Sequence, residues 1–119
     1  MPPERRASGP VRIPFVRRCS LRFAEGSATS AFLVNINVLG AYVELDVMLP
    51  LGQPLRCAFR LPGNEREIEL EAVVAWNNPK QQHPVHSLPP GFGISFMNLA
   101  PEARSAIVAL VAGYETGLR

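Results

Sequence analysis

Apolar and polar residues alternate with a period of two along most of this chain, and the spacing becomes helical only near the C-terminal end. The alternation is clearest over Glu67–Trp76. Ile68, Leu70, Ala72, Val74 and Trp76 fall on one side and Glu67, Glu69 and Glu71 on the other, as a strand buried on one face requires. Leu55–Leu61 repeats the pattern, with Leu55, Cys57, Phe59 and Leu61 against Arg56, Ala58 and Arg60. Val16–Phe23 sets Cys19, Leu21 and Phe23 against Arg18, Ser20 and Arg22. Ala31–Ile36, Ala41–Leu45 and Gly91–Met97 are shorter apolar or β-branched runs that read as further strands.

Turn-forming residues separate these runs. Glu25-Gly26-Ser27 and Pro62-Gly63-Asn64 are tight turns, Met48–Gly52 is a loop, and Asn35–Gly40 holds a turn in which Gly40 is available for a positive φ. Asn77–Pro90 is a long polar, proline-rich loop. Pro101 opens a helix over 101–114 whose apolar stripe is Ile107, Leu110, Val111 and Tyr114. Trp76, last on the amphipathic strand, is expected in the core beside that stripe. Six or seven short antiparallel strands followed by one helix describe an all-β barrel or sandwich with a packed terminal helix. Residues 1–14 contain Pro2, Pro3, Gly9, Pro10 and Pro14, so they read as a flexible extended arm ahead of a single domain over 15–119.

Charge changes this picture in one place. The net charge of +2 hides an asymmetry: Arg5, Arg6, Arg12, Arg17, Arg18 and Arg22 face only Glu4 in the first 22 residues, whereas the remainder is acidic. An arginine-rich start points to an anionic partner, because the guanidinium fork pairs with phosphate and stacks on a base. Nothing at the N-terminus reads as a secretion signal and no run is long enough to span a bilayer, so a cytoplasmic location with no membrane insertion is expected.

Catalytic chemistry finds little support. Asp46 is the only aspartate, no nucleophile–histidine–acid set stands in a recognisable motif, and both glycine-rich phosphate loops are absent. Cys19 and Cys57 read as reduced strand residues, and His83 and His86 lie in the proline-rich loop without ligand spacing, so neither a metal nor a cofactor is expected. An enzyme is therefore not expected. A nucleic-acid-binding barrel would interleave aromatic platforms with its cations, and residues 1–22 offer only Phe15, so no nucleic-acid partner is expected either.

Several local signatures together resemble the PilZ family of bacterial cyclic-di-GMP receptors. They are the arginine-bearing arm, the Asn35-x-Asn37-x-x-Gly40 turn, the Gly91-Phe92-Gly93-Ile94-Ser95-Phe96 strand and the Val73-Val74-Ala75-Trp76 strand end, and the likeness runs from Arg5 to Tyr114. Two departures stand out. Arg6 and Arg12 are separated by five residues where the family has three, and Asn37 stands where serine is usual. The resemblance implies a PilZ-like antiparallel barrel with a C-terminal helix. It also implies a ligand site drawn from Arg5, Arg6, Arg12, Arg17, Asn35, Asn37 and Gly40, with arginines pairing to phosphate or guanine and the turn amides reaching guanine donors. Two functions follow from it: a cyclic-di-GMP-binding signalling module, or a PilZ-like adaptor that has lost the nucleotide and contacts a protein partner, for example in motility control.

Overall fold

A computed structural model describes residues 11–63, 66–79 and 88–117. Six strands follow in chain order: β1 (Ile13–Phe23), β2 (Ala28–Ile36), β3 (Gly40–Glu44), β4 (Pro54–Arg60), β5 (Glu67–Asn78) and β6 (Gly91–Met97). One helix among the described residues, α1 (Pro101–Gly117), follows them. The strands close into an antiparallel barrel in the order β1-β2-β3-β6-β5-β4, so the expected all-β barrel with a terminal helix is what forms.

The inner face is the one the alternation marks. Cys19, Leu21, Leu55, Cys57, Phe59, Ile68, Leu70, Ala72 and Val74 are buried together with Phe92 and Ile94 of β6. Phe15 and Phe59 meet edge to face with centroids 5.7 Å apart, which holds the start of β1 onto β4. Cys19 and Cys57 are free, buried and hydrogen-bonded to each other inside the barrel; that bond together with burial raises the Cys57 pKa well above the ordinary thiol value. Pro101 occupies the first helical position, where its missing N–H costs nothing. The helix stripe is set one turn earlier than expected. Ala103 and Ile107 are buried, Ala106, Leu110 and Val111 pack against the core, and Tyr114 is exposed.

Element bounds move by a few residues. β1 begins at Ile13, so the last two residues of the expected arm, Ile13 and Pro14, belong to the barrel. Pro14 is tolerated there because a bulge between Pro14 and Arg17 interrupts the β1–β2 ladder beside it. β2 begins at Ala28, β5 runs on to Asn78, and α1 extends to Gly117. The rest of the arm, residues 1–10, and most of the Asn77–Pro90 loop, with His83 and His86, lie outside the described residues.

Trp76 is the main correction to the expected facing. A bulge between Val74 and Trp76 adds one residue to β5 against β6, so Val74 pairs with Ile94 but Trp76 pairs with Gly93. One extra residue reverses the facing of everything beyond it. Trp76 therefore leaves the inner face, is only half-buried, and stands away from the helix stripe.

Candidate functional site

A second bulge acts in the same way on β2. Leu33 pairs with Val43 of β3 and Asn35 with Tyr42, so Val34 is an extra residue. Ala31 and Leu33 face inward before it and Ile36 after it, which turns Asn35 outward. The two bulges thus bring polar and aromatic side chains onto one outer row. Pro14, Asn35, Tyr42, Gly93 and Trp76 are successive cross-strand partners on β1, β2, β3, β6 and β5. From Asn35 to Trp76 the row crosses three inter-strand spacings, about 14 Å.

At the end of that row stands the Asn35–Gly40 turn. Asn37 builds it: its backbone N–H donates to the Gly40 carbonyl at 2.9 Å, and its side-chain oxygen accepts from Leu39 N at 2.7 Å and Gly40 N at 3.0 Å. An asparagine side chain closing a turn over the next residues is a local alternative to the sheet ladder, and it performs here what a serine hydroxyl does more weakly. Asn37 is 3% exposed, so its oxygen is committed to the turn.

Gly40 is not in the left-handed region, contrary to the expected positive φ; among the described residues only Gly26, Gly52 and Gly63 are glycines of that kind. Its requirement is space. A Cβ at residue 40 would lie 2.1 Å from the Ile94 carbonyl oxygen on β6 and 3.3 Å from Nη2 of Arg12. The second distance places the Arg12 guanidinium over the turn. Burial lowers the Arg12 pKa, and no carboxylate pairs with it among the described residues. At the start of the same turn, Oδ1 of Asn35 is buried and has no hydrogen-bond partner. A buried acceptor left unmade costs about 1–3 kcal/mol, so the turn holds both a cation and an acceptor with unspent capacity.

Arg12, Asn35, Asn37 and Gly40 are therefore brought together. Arg17 is not: it sits past the β1 bulge, opposite Leu33, with its guanidinium 5.8 Å from the Phe15 ring centroid. Arg5 and Arg6 lie outside the described residues.

Sequence reasoning missed two members of the outer row, Tyr42 and Trp76. Their rings lie 5.4 Å apart at a tilt of 35°, bridging Gly93. A Cβ at Gly93 would meet Nε1 of Trp76 at 2.1 Å, so the indole rests directly on the glycine backbone. The available signal was the apolar run Val73-Val74-Ala75-Trp76, where the alternation lapses and the strand phase is no longer readable. Tyr42 is pinned by its hydroxyl, which donates to the Pro89 carbonyl and accepts from Asn78 Nδ2 at 3.1 Å. Burial pushes the Tyr42 phenol above its ordinary value; the Asn78 bond opposes this and Glu44 adds to it.

That shift has a testable sign. A raised phenol pKa favours the neutral form in the fold, so the stabilisation is complete below about pH 10 and is lost as pH climbs through the folded value. Tyr42→Phe, which forfeits hydrogen bonds worth about 1 kcal/mol, should melt lower than the parent at pH 8, and the gap should narrow by pH 11. A gap independent of pH would show that Tyr42 does not ionise on unfolding.

No group of His, Cys, Asp and Glu suited to a metal occurs among the described residues, and no described helix is long and apolar enough to cross a membrane. No curated protein matches the chain in sequence. Among solved structures, the chain is similar to the inhibitor of motility MotI/DgrA of Bacillus subtilis (TM-score 0.72, 24% identity, 92% of this chain and 51% of that one). It is also similar to the PilZ domain of YcgR from Escherichia coli solved with c-di-GMP (0.66, 16%, 92% and 92%). A third is the PilZ domain of CeSA from a cellulose-synthesizing bacterium (0.62, 18%, 89% and 99%). At these identities the likeness is one of fold. In sequence, the PilZ domain family matches residues 4–113, nearly the whole chain, which therefore belongs to that family of binding and regulatory domains and carries its cyclic-di-GMP receptor fold.

Proposed function

We propose that this protein is a cytoplasmic signalling module that binds cyclic-di-GMP on the outer row of its barrel and passes the signal to a protein partner. One observation carries the reading: the Asn35–Gly40 turn, which the family uses, carries both a half-buried guanidinium without a carboxylate partner, over Gly40, and a buried amide oxygen without a donor, at Asn35. Guanine supplies what each lacks. Its N1–H and N2–H groups donate to an acceptor such as Asn35 Oδ1, and its O6 and N7 edge or a phosphate pairs with Arg12. Trp76, half-buried and backed by the fully buried Tyr42 ring, offers an aromatic surface for the second purine, where stacking is worth about 1–3 kcal/mol. Arg5 and Arg6 add cations from the arm, which orders around the ligand in this reading.

Titration calorimetry with cyclic-di-GMP at moderate salt tests the proposal. Arg12→Ala should weaken binding by about 2 kcal/mol and Asn35→Ala by about 1 kcal/mol, with the fold intact. Trp76 is the only tryptophan, so its fluorescence reports the same titration. The absence of both heat and a fluorescence change at saturating nucleotide would refute nucleotide binding.

The five-residue spacing between Arg6 and Arg12 favours a second reading, an adaptor that acts through protein contacts alone. It makes the opposite prediction in the same titration. The inhibitor of motility among the similar structures makes motility one setting for such an adaptor.

A further inference from the structure

We propose that the outer face of β1 and β4 is a docking trough for an acidic protein segment that carries one bulky apolar side chain. In the six-strand ring β4 stands opposite β3, whereas β1 adjoins β2, so the trough and the Asn35–Gly40 turn meet β1 at different points: the turn near Pro14, the trough from Arg17 onward. The inference gives the proposed signalling role an output surface, and it stands or falls separately from nucleotide binding.

Three depressions join along the seam between the two strands. The first, of about 280 Å³, lies among Arg17, Arg18, Ser20, Ser30, Ala58 and Arg60. A second, of about 220 Å³, shares Ser20 and Ala58 with it and continues to Arg22. The third, of about 550 Å³, takes up at Arg22 and is lined by Phe23, Pro54, Arg56 and Met97. Small side chains make the floor: Ser20 and Ala58 are direct cross-strand partners, with Ser30 beside them on β2.

Charge selects the occupant. Five arginines line the trough against three glutamates, and all the glutamates stand on the β5 bank. Two of these are already engaged, Glu69 with Arg22 at 4.0 Å and Glu71 with Arg56 at 3.6 Å. Arg17 and Arg18 have no carboxylate partner among the described residues. Instead each is held over a ring, Arg17 over Phe15 and Arg18 over Phe32 at 5.2 Å. A guanidinium fixed on an aromatic face has already lost part of its rotamer freedom, so a carboxylate meets it at lower entropic cost. Phe32 is itself 40% exposed, and arginine beside an exposed aromatic is the composition of an interface centre.

At the far end the chemistry becomes apolar. Met97 is 43% exposed above Phe23 and Pro54, which leaves room for one aliphatic or aromatic anchor. The β5 glutamate row argues against a continuous polyanion such as nucleic acid or an anionic lipid surface, since it would lie along the same groove. A protein segment can place acids toward Arg17 and Arg18 and neutral residues toward the glutamates.

The test uses the whole protein and a fluorescein-labelled glutamate-rich dodecapeptide with one leucine near its end, read by fluorescence anisotropy. Saturable binding is expected, weakening with salt, and falling about tenfold when the leucine is replaced by glycine. Arg18→Ser should weaken it about tenfold, as should Met97→Asp, while Asn35→Ala leaves it unchanged. Ala58→Trp fills the floor without removing a charge and should abolish binding; it decides the matter if Arg18→Ser fails to fold by circular dichroism. Binding that survives Ala58→Trp, or equal binding of a lysine counterpart, would overturn the proposal. So would vesicles of phosphatidylglycerol that bind as well as the peptide and depend equally on Arg18.

Discussion

Gly40→Ala is expected to destabilise the domain by about 3 kcal/mol, read as a lowered urea midpoint with an unchanged slope. The added methyl would stand 2.1 Å from the Ile94 carbonyl oxygen, a contact that must open. The obstacle is backbone. Ile94 is fully buried and held on both sides, by Ala41 of β3 and Val74 of β5, so its carbonyl cannot retreat without opening two ladders. Arg12 is displaced at the same time, so whatever folded fraction remains should bind an anion poorly. Gly93→Ala makes an instructive comparison, because its new methyl meets the end of the Trp76 side chain, which can swing away. That variant should keep more stability and show altered tryptophan emission. If Gly40→Ala unfolds at the parent's midpoint, the close approach of β3 to β6 is not a constraint in solution.

Phe59→Ala should cost still more, about 3–5 kcal/mol out of the ~5–15 that holds a domain together. Phe59 is 2% exposed on β4 and meets Phe15 of β1 edge to face. Removing the ring leaves a cavity that these two strands cannot close, because their register is fixed by the Cys19–Phe59 and Leu21–Cys57 pairs. The loss also reaches the candidate site. Phe15 is three residues from Arg12, so loosening it frees the strand end that aims the guanidinium at the turn. Chemical denaturation measures the first effect and nucleotide titration the second. Phe59→Leu, which keeps most of the volume, should lose less than about 1.5 kcal/mol. Equal losses for both variants would point to a requirement for the aromatic edge contact rather than for filled space.

How much of this was legible in the sequence follows from where the alternation is unbroken. β4 and most of β5 could be read to the correct face because charged residues occupy every other position and fix the phase. The turn at Asn35–Gly40 was equally plain from its residue types. What could not be read is where an extra residue enters a strand. Val34 and the Val74–Trp76 step lie in apolar runs, where inserting a residue changes no visible pattern, yet those two bulges decide that Asn35 and Trp76 face outward. The role of Gly40 was misjudged for a related reason. A glycine marks a need for freedom in φ or for space, and only the position of β6, a strand more than fifty residues away, shows which. Of the arginines, Arg12 could be placed at the turn only once its strand had a register. Arg17 was indistinguishable from it in the sequence and lies elsewhere.

Closure of the barrel fixes the terms on which any other protein can meet this one. Each of the six strands is bonded to two neighbours, so among the described residues no strand stands at the edge of the sheet, and the usual template for uncontrolled strand addition is largely taken up. Recognition of the barrel wall therefore runs mainly through side chains on the outer faces. Exchanging a surface charge then alters which partner is accepted while the ladders beneath stay as they were, so the domain's contacts can diversify without renegotiating its fold.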